Sequence, residues 1–117
     1  MPYTIQEAKT YQHPKNDLFQ AIIGAINGLE GEVLNQDSES GHVEAKFPKT
    51  IHGKVLGDRT RIEIDIREAS STEPQLTLQA YPIDPVGRKL QFGARKGVTR
   101  TVVNWFLAHV DHQLGET

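Results

Sequence analysis

Apolar and polar residues alternate with period two through the middle of this chain and recur at helical spacing toward both ends. The clearest alternation is Arg59–Glu68. There Ile62, Ile64 and Ile66 point one way, and Arg61, Glu63, Asp65 and Arg67 point the other. β-Branched residues suit a pleated strand, and the charged face must be solvated or paired across strands. Gln75–Tyr81 repeats the pattern with Leu76, Leu78 and Ala80, and His42–Phe47 does so with Val43, Ala45 and Phe47. Between Glu32–Gln36 and His42 lies Asp37-Ser38-Glu39-Ser40-Gly41, a run of turn residues that predicts a hairpin with one wet face. Residues 3–11 alternate imperfectly (Tyr3, Ile5, Glu7, Lys9, Tyr11) and predict a first strand, ended by His13-Pro14. A short edge strand is expected around Lys54–Leu56, between Gly53 and Gly57.

Two segments carry the other period. Leu18, Ile22, Ala25, Ile26 and Leu29 form a helical stripe widened by Phe19 and Ile23, with Asn16 or Asp17 as N-cap and Gly31 as the stop. Near the C-terminus, Val98, Val102, Phe106, Val110 and Leu114 make one i,i+4 row, and Val103 and Leu107 a second. Trp105 falls off these rows. Gly97 or Thr99 is expected to cap this helix, which runs to about Gln113. Hairpin-linked strands with a helix at each end predict an α+β domain spanning 1–117. Its antiparallel sheet would have about four to six strands, with two helices on one face, in the order β-α-β-β-(β)-β-β-α.

That order resembles the helix-grip arrangement, in which a curved antiparallel sheet wraps a long C-terminal helix. Lipid and hormone carriers of the plant-allergen (START-like) superfamily use an elaborated version, and the TATA-binding protein half-repeat a compact one. The segments Asp37–Ala45 (DSESGHVEA) and Gly87–Trp105 (GRKLQFGARKGVTRTVVNW) also resemble small bacterial, in part cyanobacterial, domains of unknown function. The resemblance is one of topology. It implies the fold and transfers no activity.

Composition narrows the chemistry. With no cysteine, a disulfide scaffold, a thiolate metal site and a cysteine nucleophile are excluded. No apolar run approaches the roughly 18 residues of a membrane span. Met1–Glu7 lacks the charged and apolar regions of a signal peptide, which makes the cytoplasm the expected location. The net charge of −2 conceals an asymmetry, with 8 Lys/Arg against 13 Asp/Glu in residues 1–85 and 5 against 2 in residues 86–117.

Those five basic residues, Arg88, Lys89, Arg95, Lys96 and Arg100, are the first candidate site, for an anion or an acidic partner. They precede or open a helix, whose N-terminal N–H groups attract anions. The alternative is a solvated surface that balances the acidic remainder. A sequence pI of 6.2 argues against a dedicated nucleic-acid binder.

The second candidate is a cavity beside the first helix. Gly24 and Gly28, four residues apart, would leave space there unless they serve close packing. Its lining would be Gly24, Gly28, Ile64, Leu78 and Phe106. His109 and His112 stand one helical turn apart, but Asp111 projects elsewhere and no third metal ligand is identifiable. His13, His42 and His52 read as isolated. Glu63 and Asp65 fit a solvent face, and Ser38, Ser40, Ser70 and Ser71 sit in turn sequences without a base partner. The expectation is therefore a non-enzymatic binding module without metal or cofactor. It would hold a small apolar or anionic ligand, or alternatively dock an acidic protein, anionic lipid or nucleic acid through residues 88–100.

Overall fold

A computed structural model describes residues 3–68, 73–90, 92–95 and 97–115. Lys96, Ser70 and Ser71 lie outside the described residues. The elements run β1 (Ile5–Thr10), α1 (Lys15–Gly28), β2 (Glu32–Asp37), β3 (His42–Phe47), β4 (Thr50–Ile51), β5 (Lys54–Val55), β6 (Arg59–Glu68), β7 (Pro74–Ile83) and α2 (Val98–Gln113). Five strands form one antiparallel sheet in the order β1-β7-β6-β3-β2. Both helices cover the same face.

The buried face follows the alternation of the sequence. Val43, Ala45, Ile62, Ile64, Leu76 and Ala80 are almost wholly excluded from solvent, and they meet Leu18, Ile22, Ala25, Ile26, Val102, Phe106 and Val110 of the helices. Phe47 and Phe106 close the core edge to face, with ring centroids 6.4 Å apart.

The broken pattern of β1 has a physical cause. Register places Glu7 opposite Leu78 and Lys9 opposite Leu76, so both charges face the helices from the rim of the sheet. There they meet α2. Arg100 Nη1 donates to Glu7 at 3.0 Å, Lys9 Nζ to Asp111 at 2.6 Å, and the Tyr11 hydroxyl to the other Asp111 oxygen at 2.9 Å. The first strand thus anchors α2 at two points along its length.

Three local readings differ from expectation. Helix α1 starts one residue after Pro14, ahead of Asn16 and Asp17. Its stop is Glu30, left-handed at φ 65°, while the Gly31 N–H returns to the Ile26 carbonyl at 2.8 Å. Gly31 is small for another reason: a β-carbon there would sit 2.7 Å from Phe47 Cε1 and 2.9 Å from Ile26 Cγ2. The short strand at Lys54 is not an edge of the main sheet. It pairs with β4 in a separate hairpin, turned by His52 (φ 50°) and Gly53 (φ 80°).

That hairpin extends the helical layer beyond the end of α1. His52 Nε2 donates to the Gly28 carbonyl at 2.7 Å, and the His52 N–H donates to Glu30 at 3.0 Å. On its other side, Lys54 Nζ lies over the indole of Trp105 in α2, 5.6 Å from the ring centroid.

Candidate functional site

One end of the molecule gathers several loops and strand ends. The β4–β5 hairpin, the start of β6, the end of β7 and the approach to α2 all meet there. The backbone N–H of Arg95 donates to Asp58 Oδ2 at 2.5 Å, and the Arg95 side chain fills the space where a β-carbon on Gly57 would stand. Across from it, Leu90 N donates to the Pro82 carbonyl at 3.0 Å, and Asp84 N to the Arg88 carbonyl at 2.8 Å.

At this end a groove of about 260 Å³ runs between the start of β2, the end of β3, the start of β6 and the end of β7. Phe47, Pro48, Ile83, Pro85 and Val86 supply its apolar surface, and Glu30, Glu32, Lys46, Arg59 and Asp84 its charges. Most of those charges are engaged. Lys46 stands 3.6 Å from Glu32, and Glu30 accepts from His52. Asp84 Oδ1 accepts the Arg88 N–H at 2.9 Å and the Val86 N–H at 3.0 Å, and these bonds, that from Arg88 first, lower the pKa of its carboxyl. Arg59 is different. This half-buried residue makes no hydrogen bond or ion pair among the described residues.

Beneath this end, the Thr60 hydroxyl is fully buried without a hydrogen-bond partner among the described residues, on the strand position that pairs with Phe47 and Pro82. Neither Arg59 nor Thr60 stood out in the sequence. Arg59 read as the first residue of a strand and Thr60 as a strand position, and no local signal marks either as unpartnered.

The basic candidates go to several places. Arg88 Nε lies 3.3 Å from Asp84, and Lys89 Nζ stands 4.3 Å over the Tyr81 ring on the outer face of the sheet. Arg95 and Arg100 come together in a groove of about 460 Å³ between the start of β1 and the N-terminus of α2, where Arg100 is held by Glu7. Lys96 lies outside the described residues.

The cavity candidates are placed in contact with other side chains. Gly24 faces the end of Gln113, and Gly28 faces the His109 ring, so both stand where α1 and α2 approach closely. Ile64, Leu78 and Phe106 belong to the packed core.

The outer face of the sheet carries a chain of contacts that the sequence did not disclose. His42, which read as isolated, bonds Asp65 through Nδ1 at 2.8 Å and Glu44 through Nε2 at 2.7 Å. Glu44 also accepts from Arg61, Arg61 lies 3.3 Å from Glu63, and Glu63 accepts from the Tyr81 hydroxyl at 2.9 Å. The Glu44 and then the Asp65 carboxylates raise the pKa of His42, and His42 followed by Arg61 lowers that of Glu44. Burial, reinforced by Glu63, pushes Tyr81 up to about 12. Only His42 and Asp65 stand directly opposite each other; Glu44 faces Glu63 and Lys46 faces Arg61, so the remaining contacts run diagonally between strands or along one strand.

No family model matches the sequence, and no curated protein matches it. Solved structures do. Ara h 8.0201 superposes with a TM-score of 0.64 at 12% identity, over 97% of this chain and 98% of its own. This is a helix-grip fold. The di-domain ARO/CYC proteins StfQ and BexL, from the steffimycin and BE-7585A biosynthetic pathways, share it. Their TM-scores are 0.59 and 0.58 at 11% and 9% identity, and they match 94% and 96% of this chain. The chain spans 46% of each of those proteins.

The ARO/CYC matches correct one expectation. The absence of a recognisable base or nucleophile pointed to a chain that is not an enzyme. Helix-grip domains occur in ARO/CYC proteins, so a missing sequence motif gives no ground for excluding catalysis on this fold.

Proposed function

We propose that the chain is a helix-grip binding module that holds a small ligand with an apolar body and one anionic group. The groove between Phe47, Ile83 and Val86 receives the ligand, and Arg59 anchors the anion. The single observation that carries this reading is the unengaged Arg59 guanidinium beside an apolar surface. A guanidinium offers five donors in a fixed fork, suited to a carboxylate or phosphate, and a charge-assisted bond in a partly enclosed groove is stronger than its neutral counterpart. The mixture of apolar wall and few polar groups is that of small-molecule sites in general.

The test uses anilinonaphthalene sulfonate, an apolar fluorophore with one anionic group. Saturable binding that Arg59→Gln weakens about tenfold supports the reading, since bonds to a charged group contribute about 1.5–3 kcal/mol. The uncharged phenylnaphthylamine serves as the comparison and should lose little. Equal affinity of the native chain and Arg59→Gln for the sulfonate would refute it.

A further inference from the structure

Among the described residues most large apolar side chains are buried, and three of the four large exposed ones belong to the end that carries the groove. Val55 is 75% exposed on the hairpin, and Val86 and Phe92 are 73% and 83% exposed on the segment between β7 and α2. The fourth, Leu34, has a local cause. It is the extra residue of a bulge on the edge strand β2, where Val33 pairs with Ala45 and Asn35 with Glu44. No such irregularity accounts for the other three.

Charge concentrates on the same two segments. Residues 48–59 and 84–97 hold seven Lys/Arg and two Asp/Glu, in a chain whose net charge is −2. Both acids are turned inward onto backbone amides, Asp58 onto Arg95 N and Asp84 onto Val86 N and Arg88 N. The hairpin and the β7–α2 segment are tied together by Arg95, through Asp58 and Gly57. The apolar side chains therefore stand on one joined structure, among exposed Lys49, Lys54, Arg88 and Arg95.

We propose that this end docks on an anionic lipid surface, with Val55, Val86 and Phe92 entering the interface and the surrounding cations meeting lipid phosphates. Apolar tips among basic side chains match the two attractions a membrane surface offers, burial of apolar area and the negative surface potential. A polyanion such as nucleic acid would use the charge but leave Phe92 and Val55 in water. Docking does not depend on the ligand reading, because Val55 and Phe92 lie outside the groove.

The experiment is sedimentation of the full chain with vesicles of phosphatidylcholine alone and of equal parts phosphatidylcholine and phosphatidylserine. Binding to the second and not the first, weakening as salt is raised, is the expected result. The double variant Val55→Ser, Phe92→Ser should reduce partitioning about tenfold or more. It should bind anilinonaphthalene sulfonate as the native chain does, which separates this proposal from that of the groove. Three outcomes overturn it: no binding to the anionic vesicles, binding unchanged in the double variant, or a dimer in solution that the double variant dissociates while vesicles stay unbound. The last would assign the apolar side chains to self-association.

Discussion

The imidazole of His109 on α2 occupies the space that a side chain at Gly28 of α1 would need. A β-carbon built on Gly28 would lie 2.4 Å from His109 Nε2 and 2.7 Å from its Cε1. Gly24, one turn earlier, faces the end of Gln113, at 3.2 Å. The two glycines look alike in the sequence and differ in what they permit. Gly28→Ala should destabilise the protein by about 1–3 kcal/mol, the usual cost of overpacking. Gly24→Ala should be neutral or stabilising by up to about 1 kcal/mol, because the flexible Gln113 can move and alanine favours the helix. Urea unfolding of both variants tests this. Adding His109→Ala to Gly28→Ala should recover part of the loss, and purely additive effects would show that the two positions do not compete for space.

Gly31 makes a second such prediction, at the groove. Gly31→Ala places a methyl against Phe47 and Ile26. The expected cost is about 1–3 kcal/mol in urea unfolding. Because Phe47 lines the groove, the variant should also bind anilinonaphthalene sulfonate more weakly. A variant as stable as the native chain would place the ring elsewhere.

The outer face gives a pH dependence whose sign can be stated. His42 has a raised pKa in the folded protein, owing first to Glu44 and then to Asp65. Its contribution is fully present below the ordinary histidine value of about 6.5 and is lost as pH rises through the folded value. Glu44, with a lowered pKa, contributes above its ordinary value and loses that contribution as pH falls through its folded value. Stability should therefore decline as pH rises above about 6.5. His42→Gln should flatten that decline. Urea midpoints across this range measure it, and an unchanged slope in His42→Gln would assign the effect to another group.

Thr60 offers a test of the core at the same end. Its hydroxyl is buried without a partner among the described residues, an arrangement that costs roughly 1–3 kcal/mol. Thr60→Val keeps the shape and removes the polar atom. It should raise the unfolding free energy by about 1 kcal/mol or more. A destabilised Thr60→Val would show that the hydroxyl has a partner in solution.

Much of the architecture was legible because periodicity is local. The Ile62, Ile64, Ile66 alternation and the Val98, Val102, Phe106, Val110 row state which face is buried whatever lies opposite. The Asp37–Gly41 turn was equally legible: the Asp37 side chain accepts the N–H groups of Glu39 and Ser40, and Gly41 supplies a φ of 75°. The candidate site was far less so. Its basic residues adjoin one another in sequence, yet they reach Asp84, Tyr81, Gly57 and Glu7 on separate elements.

By itself, then, the sequence determined the α+β order, the two helical stripes and the alternating strands, since each depends on neighbours a few residues away. The tertiary structure decided which glycine serves a close approach, which hairpin leaves the sheet and which charges find partners. It gave Gly28 to His109, turned β4–β5 onto Trp105, joined His42 to Asp65 and left Arg59 without a partner among the described residues. The physical reason is register. Such contacts span tens of residues and depend on how strands align and how far helices approach, which a single chain's local pattern does not encode.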